Sequence, residues 1–374
     1  MSVIQSECFD AQNVISISGG KDSLAMWLLA IENEVPNMHV VFADTGHEHP
    51  QTYEYIEYLE KRLGPVQRVK ADFSRQIEGK RKYIKEHWPR KLMAETPGKW
   101  KALRKTTQTT PELLQDDTRF LSGKIVGDWM WLPARKPMTE AEAMEVVSRA
   151  LTTLHPTGVP FLDLCMWKGR FPSTRARFCT FDLKHDPIKH QIVEPLLDEF
   201  PEHELVSWQG VRAEESPARA KLPMWDWDEK DDVNIYRPIL NWKVAEVFEI
   251  AKRHGIKPNP LYQQGCSRVG CMPCIHARKD ELREIFNRFP EEIERVAQWE
   301  KLVSACSKRG NSTFFAASKD PVRAEYDNMK ITTKEFGIES YSDWIMTDKA
   351  RQFDLIAATN EYITCSSVYA GVCE

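Results

Sequence analysis

The chain has 374 residues, with 42% hydrophobic and 28% charged side chains, a balance that excludes a disordered or fibrous protein and supplies a core for more than one small layer. Its formal net charge of −4 excludes a chain that is basic throughout, so any nucleic-acid contact has to come from a local patch. The first residues, MSVIQSECFD, show neither a basic nor an apolar leader region, and no apolar run reaches the length of a membrane span. A cytoplasmic setting without membrane attachment is therefore expected. There the nine cysteines serve as thiols or metal ligands rather than as structural disulfides.

The first predicted element is a buried strand, Val14 to Ile17, which breaks into Ser18-Gly19-Gly20-Lys21-Asp22-Ser23. An apolar helical pattern follows at Leu24, Trp27, Leu28 and Ile31. A strand, a glycine loop and a helix start make an anion site. Gly19 and Gly20 let backbone N–H groups face the ligand, the helix start adds its positive end, Lys21 brings a mobile charge, and Ser18 and Ser23 bring hydroxyls. The adjacent glycines rule out the Gly-x-x-x-x-Gly-Lys spacing of a Walker A loop. A turn that merely joins strand to helix is the alternative reading of the six residues alone.

Next come a buried strand over 38–42 ending in Ala43-Asp44-Thr45-Gly46, an amphipathic helix over 50–63, and a short strand over 66–69. Alternating strands and helices predict an α/β, doubly wound parallel sheet of Rossmann-like type, with ligands beyond the carboxyl ends of the strands. Residues 74–160 break the rhythm as an insertion or cap, with one helix expected over 139–154. Between Arg75 and Lys105 eleven Lys or Arg face three Glu, interleaved with Tyr83, His87, Trp88 and Trp100. Such a segment suits a phosphate backbone with stacked bases; its alternative is a solvated insertion whose tryptophans pack on the body.

The sheet is expected to resume at Leu205 to Gly210, followed by Val211-Arg212-Ala213-Glu214-Glu215-Ser216-Pro217-Ala218-Arg219. Arg212 and Arg219 read as an anion clamp or, alternatively, as partners of Glu215 in a salt-bridged loop. A helix over 239–254, a Pro/Gly/Cys loop over 256–275 and a helical region over 279–308 complete the readable elements. The domain division expected is residues 1–255, carrying the 74–160 insertion, and a cysteine-loop and helical region over 256–374.

Cys266, Cys271 and Cys274 form a compact trio on the loop, and a tetrahedral thiolate site needs a fourth ligand. Cys179 is the best candidate, in a segment with Arg175, Arg177, Lys184, His185 and Lys189 whose positive charge is expected to favour thiolate. An isolated cysteine plus a trio suits an iron–sulfur cluster better than the paired knuckles usual for Zn²⁺, which stays the alternative metal. His276 is a weaker ligand candidate.

Taken in order, the Ser18–Ser23 loop, Phe42 to Gly46 with Thr52-Tyr53, Cys179-x4-Lys184-x2-Pro187, Gly210-Val211-Arg212-x2-Glu215-Ser216-x2-Arg219 and Asn259-Pro260-Leu261-Tyr262 before the trio resemble the phosphoadenosine phosphosulfate (PAPS) reductase-like superfamily. The resemblance covers about residues 10–280 outside the insertion. It implies an adenine nucleotide α-hydrolase-like fold, ATP or an adenylyl sulfate beside the loop, and a [4Fe–4S] cluster on Cys179, Cys266, Cys271 and Cys274. By the same resemblance Lys21 and Asp22, with Mg²⁺, act on the pyrophosphate, Asp44 and Thr45 line the nucleotide pocket, and Gly210, Arg212 and Arg219 hold an anion.

Two branches differ. Reductases of adenylyl sulfates carry an altered phosphate loop, tandem cysteines and a C-terminal Glu-Cys-Gly; this chain has SGGKDS, Phe178-Cys179 and a tail ending Val372-Cys373-Glu374. In these features it is closer to the ATP pyrophosphatases of DNA phosphorothioation. That branch implies ATP cleavage, sulfur insertion into a nucleic acid, and a cysteine desulfurase or reductant as partner. A thiol-dependent adenylyl-sulfate reductase and a non-catalytic binding module are the alternatives.

Overall fold

The computed structural model describes residues 6–102, 125–126, 129–132, 136–174, 176–315 and 337–347. Arg175, Cys373 and the tail lie outside them. Among the described residues no helix is long and apolar enough to cross a membrane.

Strand β1 (Ala11–Ile17) is buried on both faces, as a central parallel strand requires. Helix α1 (Lys21–Glu32) follows the phosphate loop and buries every residue from Ser23 to Ala30. Strand β2 (Met38–Asp44), helix α2 (Pro50–Leu63) and strand β3 (Gln67–Lys70) match the predicted series within about two residues. Three short strands, β4 (Lys99–Ala102), β5 (Ile125–Val126) and β6 (Trp129–Leu132), form a separate antiparallel sheet in the insertion. Strand β7 (Glu204–Trp208) and the hairpin β8 (Trp225–Asp228) and β9 (Val233–Tyr236) complete the main sheet in the order β3-β2-β1-β7-β9-β8.

Parallel pairing holds from β3 to β9, and β8 closes the edge antiparallel. The expected α/β class and largely parallel sheet are therefore present. Strand order reverses direction at β1, so the crevice beyond the carboxyl ends of β1 and β7 is the sheet's topological switch point. Ser18 and Gly210 both stand there.

The insertion contains a 20-residue helix, α3 (Ser74–Met93), which periodicity alone does not reveal because charge crowds three of its faces. Only Ile77, Ile84, Trp88 and Leu92 turn inward. Helix α4 (Glu140–Thr153) starts with a reciprocal Thr139–Glu142 capping box, close to its expected bounds. Arg81 ties the two helices by donating to the carbonyls of Leu151 and Leu154 at 2.5 and 2.6 Å. Helix α5 (Pro160–Lys168) and a long helix over 178–199 precede β7; the latter widens into π-type turns at Phe181–His185 and Lys189–Val193.

Two expected helices are shorter than their apolar pattern. The first spans only Val244–Arg253, because residues 239–242 are held in turns and Leu240 accepts from the Ala213 N–H at 2.7 Å. The 279–308 region is two helices, Lys279–Arg288 and Glu291–Ala305, split at Phe289-Pro290. A last short helix covers Ile338–Met346.

Apolar residues of α1, α2 and the β1/β2/β7 face form one core. A second core joins α3, α4 and α5 to the helices that follow the cysteine loop, from Phe73 to Ile345. The insertion is thus packed with the C-terminal helices. Trp88 is 2% exposed within this core, so it is a packing residue and not a stacking platform. The side chain of Trp100 lies outside the described residues.

Candidate functional site

The phosphate loop takes the shape its sequence predicts. Gly19 has φ +73°, and a Cβ there would stand 2.9 Å from Thr52 Cγ2. Gly20 caps α1 with no side-chain hydrogen bond. The Lys21 N–H donates to the Tyr262 hydroxyl at 2.8 Å. The Ser18 N–H donates to Ser23 Oγ at 3.1 Å, and Ser23 Oγ donates to the Gly20 carbonyl at 3.0 Å. Ser23 therefore braces the loop from within. Asn259 Nδ2 donates to the Gly19 carbonyl at 3.2 Å, so the Asn259–Tyr262 segment clamps the loop from outside.

Asp22 carries two cations. Its Oδ1 accepts from Arg212 Nε at 2.5 Å and its Oδ2 from Lys21 Nζ at 2.8 Å. Gly210 packs against the start of α1; a Cβ there would lie 3.2 Å from the backbone of Asp22 and Ser23. The Arg212 side chain is 5% exposed and also donates to Glu214 at 2.5 Å. Burial opposes its charge, but Asp22, Glu214 and Glu215 outweigh it and raise its pKa. Glu215 accepts from the Arg212 backbone N–H and pairs with Arg219, which sits at the rim. Of the two expected clamp arginines, Arg212 is a buried brace of the loop and Arg219 belongs to the salt-bridged surface.

Asp44 accepts from the Gly46 N–H at 2.8 Å and from Tyr53 Oη at 2.7 Å. Thr45 is fully buried and donates to both oxygens of Glu48, at 2.7 and 2.8 Å. These contacts shape the strand end. The cavity beside it, of about 300 Å³, is lined instead by Ser18, Phe42, Ala43, Glu48, Lys184 and Gly210 among others. Of the sequence candidates only Ser18 and Gly210 line it. Lys184 comes to it from the Cys179-x4-Lys184-x2-Pro187 element, where it had no assigned role, and Glu48 from a turn whose only sequence signal was a single charge.

The cysteine loop docks onto the turn after β2. The Met272 N–H donates to the His47 carbonyl at 2.8 Å, and His47 Nε2 faces the Pro273 carbonyl at 2.9 Å. Cys271 Sγ lies 3.7 Å from Thr45 Oγ1 and 3.8 Å from Glu48 Oε1. Cys271 is pushed up to about 12 by burial, with Glu48 and Cys274 adding and Lys184 opposing. Cys179 is raised by burial and then by Cys274, with Lys184 pulling the other way. Lys184 thus favours the Cys179 thiolate, as expected of the positive segment, while burial opposes it more strongly.

Cys179, Cys271 and Cys274 thus share one electrostatic neighbourhood around Lys184, which they and Glu48 hold above its usual pKa. Cys266 is fully buried and pushed up to about 11 by burial, with Glu281 and Glu284 adding and Arg288 opposing. Gly265 turns the chain at φ +87° just before it. The four cysteines expected as metal ligands are all buried or half-buried. Cys165, buried in α5, feels Cys179.

The sequence profile of the phosphoadenosine phosphosulfate reductase domain matches residues 12–277. An uncharacterized 37.8 kDa protein in the gpa 5′ region of Escherichia phage 186 is 56% identical over 377 residues, covering 100% of both chains. The adenosine 5′-phosphosulfate reductase of Allochromatium vinosum is 30% identical over 152 residues, which are 38% of this chain and 56% of that enzyme. The chain thus spans little more than half of that reductase. Among solved structures, the phosphoadenylyl-sulfate reductase of Candida auris in its phosphate complex is similar at 13% identity, with a TM-score of 0.34, over 70% of this chain and 81% of that one.

Proposed function

The chain belongs to the phosphoadenosine phosphosulfate reductase domain family, and from that premise we propose that it cleaves ATP between the α- and β-phosphates to activate a substrate oxygen for replacement by sulfur. The observation that carries this reading is one cavity between two chemistries. Ser18 and Gly210 of the phosphate-loop crevice line it on one side, and Lys184, the shared neighbour of three thiols, lines it on the other.

In the first step the substrate oxygen attacks the α-phosphorus, the bond to the bridging oxygen breaks, and pyrophosphate leaves with the electron pair. AMP remains esterified to the substrate. Gly19, Gly20 and the start of α1 cradle the leaving pyrophosphate, and Lys21 neutralises it. Arg212 acts through Asp22 by holding the loop in shape. In the second step hydrosulfide, of the kind a cysteine desulfurase yields together with a thiol reductant, attacks the activated carbon or phosphorus; AMP leaves with the bond's electron pair and the sulfur's proton goes to solvent. An iron–sulfur or Zn²⁺ centre on Cys179, Cys266, Cys271 and Cys274 would supply a sulfur- or electron-handling site near the cavity.

A nucleic-acid substrate fits the exposed face of α3, where Arg75, Lys82, Lys85, Arg90 and Lys91 stand in solvent. Incubation with α-phosphate-labelled ATP and candidate DNA and RNA tests the proposal. It is expected to yield labelled AMP and unlabelled pyrophosphate; release of neither with any acceptor sinks it. Thiol-dependent reduction of an adenylyl sulfate is the second reading, supported by what the Allochromatium vinosum relative is named for. It predicts sulfite release from adenosine 5′-phosphosulfate with thioredoxin and no need for ATP.

A further inference from the structure

We propose that His185, Asp228 and Asp231 form a binding site for one divalent cation of the Mn²⁺ or Zn²⁺ kind at the edge of the cavity. The proposal does not depend on which reaction the chain performs. One potential ligand atom from each residue lies within 4.8 Å of the other two. All three residues line the same cavity as Ser18 and Gly210. They come from separate elements. His185 ends a π-type turn of the 178–199 helix, Asp228 ends β8, and Asp231 stands in the β8–β9 turn.

The local bonding is that of a prepared site. Asp231 is 8% exposed. Its Oδ2 faces His185 Nε2 at 2.7 Å and its Oδ1 accepts from Lys189 Nζ at 2.6 Å. A lysine on the far oxygen of a carboxylate fixes its orientation, as the partners behind metal ligands do. His185 Nδ1 is buried and has no hydrogen-bond partner among the described residues. The imidazole face stacks on Phe181 with centroids 5.0 Å apart, which holds the ring in place. Nε2 is the ring nitrogen turned to Asp231, and it is the one an ion between them would take in place of that contact.

The donor set decides the class of ion. Two carboxylates and an imidazole suit Mn²⁺ or Zn²⁺, whereas Mg²⁺ prefers oxygen and keeps its waters. Ligands about 2.1 Å from a shared ion stand at most about 4.2 Å apart, so closure needs only a small rotation of Asp228. The two carboxylates supply the negative charge that a divalent ion needs, and Lys189 offsets part of it. Because the three residues line the cavity, the open coordination positions face whatever the cavity holds.

Titration of the full chain with Mn²⁺ in the absence of nucleotide, followed by electron paramagnetic resonance of the free ion, tests the site. The wild-type chain is expected to take up one Mn²⁺ that Zn²⁺ displaces. Asp228→Asn and His185→Gln are each expected to weaken uptake at least tenfold while leaving the melting temperature of the metal-free protein in place. If Asp228→Asn does not fold, His185→Gln carries the test alone. No uptake by the wild-type chain at millimolar Mn²⁺, or uptake that the folded variants retain, overturns the proposal.

Discussion

The phosphate loop, which reaches the cavity through Ser18, and the cysteine group, which neighbours it through Lys184, are built differently. The loop is local: six consecutive residues adopt a shape set by two glycines, and Arg212, Asn259 and Tyr262 arrive to brace it. The cysteine group is assembled from distant segments, Cys179 on one helix and Cys271 and Cys274 on a loop docked by His47 and Met272. A locally encoded site can fail at a single backbone atom, whereas an assembled site depends on which side chains the packing brings together.

The sharpest test of this contrast exchanges cysteines one at a time. Cys179→Ser, Cys266→Ser, Cys271→Ser and Cys274→Ser are each expected to lose most bound iron or zinc; metal content of anaerobically purified protein and the visible spectrum read the outcome. A folded variant that keeps wild-type metal would remove that cysteine from the proposed centre. Next in size, Arg212→Met leaves Asp22 without its buried partner and is expected to cost about 3 kcal/mol in denaturant unfolding. A loss of a few tenths would mean that Lys21 alone suffices to hold Asp22.

Gly19→Ala is expected to cost about 2 kcal/mol, from a left-handed φ together with the 2.9 Å approach to Thr52, and to weaken pyrophosphate binding in calorimetry. The smallest effect is a pH dependence on the cysteine side. His47 is fully buried, and burial and then Arg295 hold its pKa well below the usual value. A histidine kept neutral in the fold takes up a proton more readily when unfolded. Its contribution is therefore complete above about pH 6.5 and is lost as pH falls below that value. Melting temperatures measured downward from neutral pH are expected to fall, and His47→Phe, which keeps the ring stack on Phe161, is expected to flatten that slope.

The legible part of the chain was the part with short-range logic. The β1–loop–α1 unit, β2, α2, β3, α4 and β7 lie close to where alternation, helical period and capping put them. Helix α3 escaped because its inward stripe is only four residues in a sea of lysine and arginine. The β8–β9 hairpin escaped because Trp-Asp-Trp-Asp alternates over four residues only, half of them Asp, a poor strand former. Lys184 and Tyr262 stand in recognised sequence elements but with no role attached to them, and Glu48 carries no motif at all. Their importance comes from which cavity wall or loop they reach.

By itself the sequence determined the α/β class, the phosphate loop and the set of chemistries to be weighed, because glycine geometry, strand burial and helix starts act over a few residues. Only the tertiary structure decided that Arg212 braces Asp22, that Trp88 is core, that Lys184 lies among Cys179, Cys271 and Cys274, and that His185 meets Asp228 and Asp231. Those outcomes depend on directions of side chains brought together across 40 to 240 residues of chain, and no local spacing encodes a direction at that range.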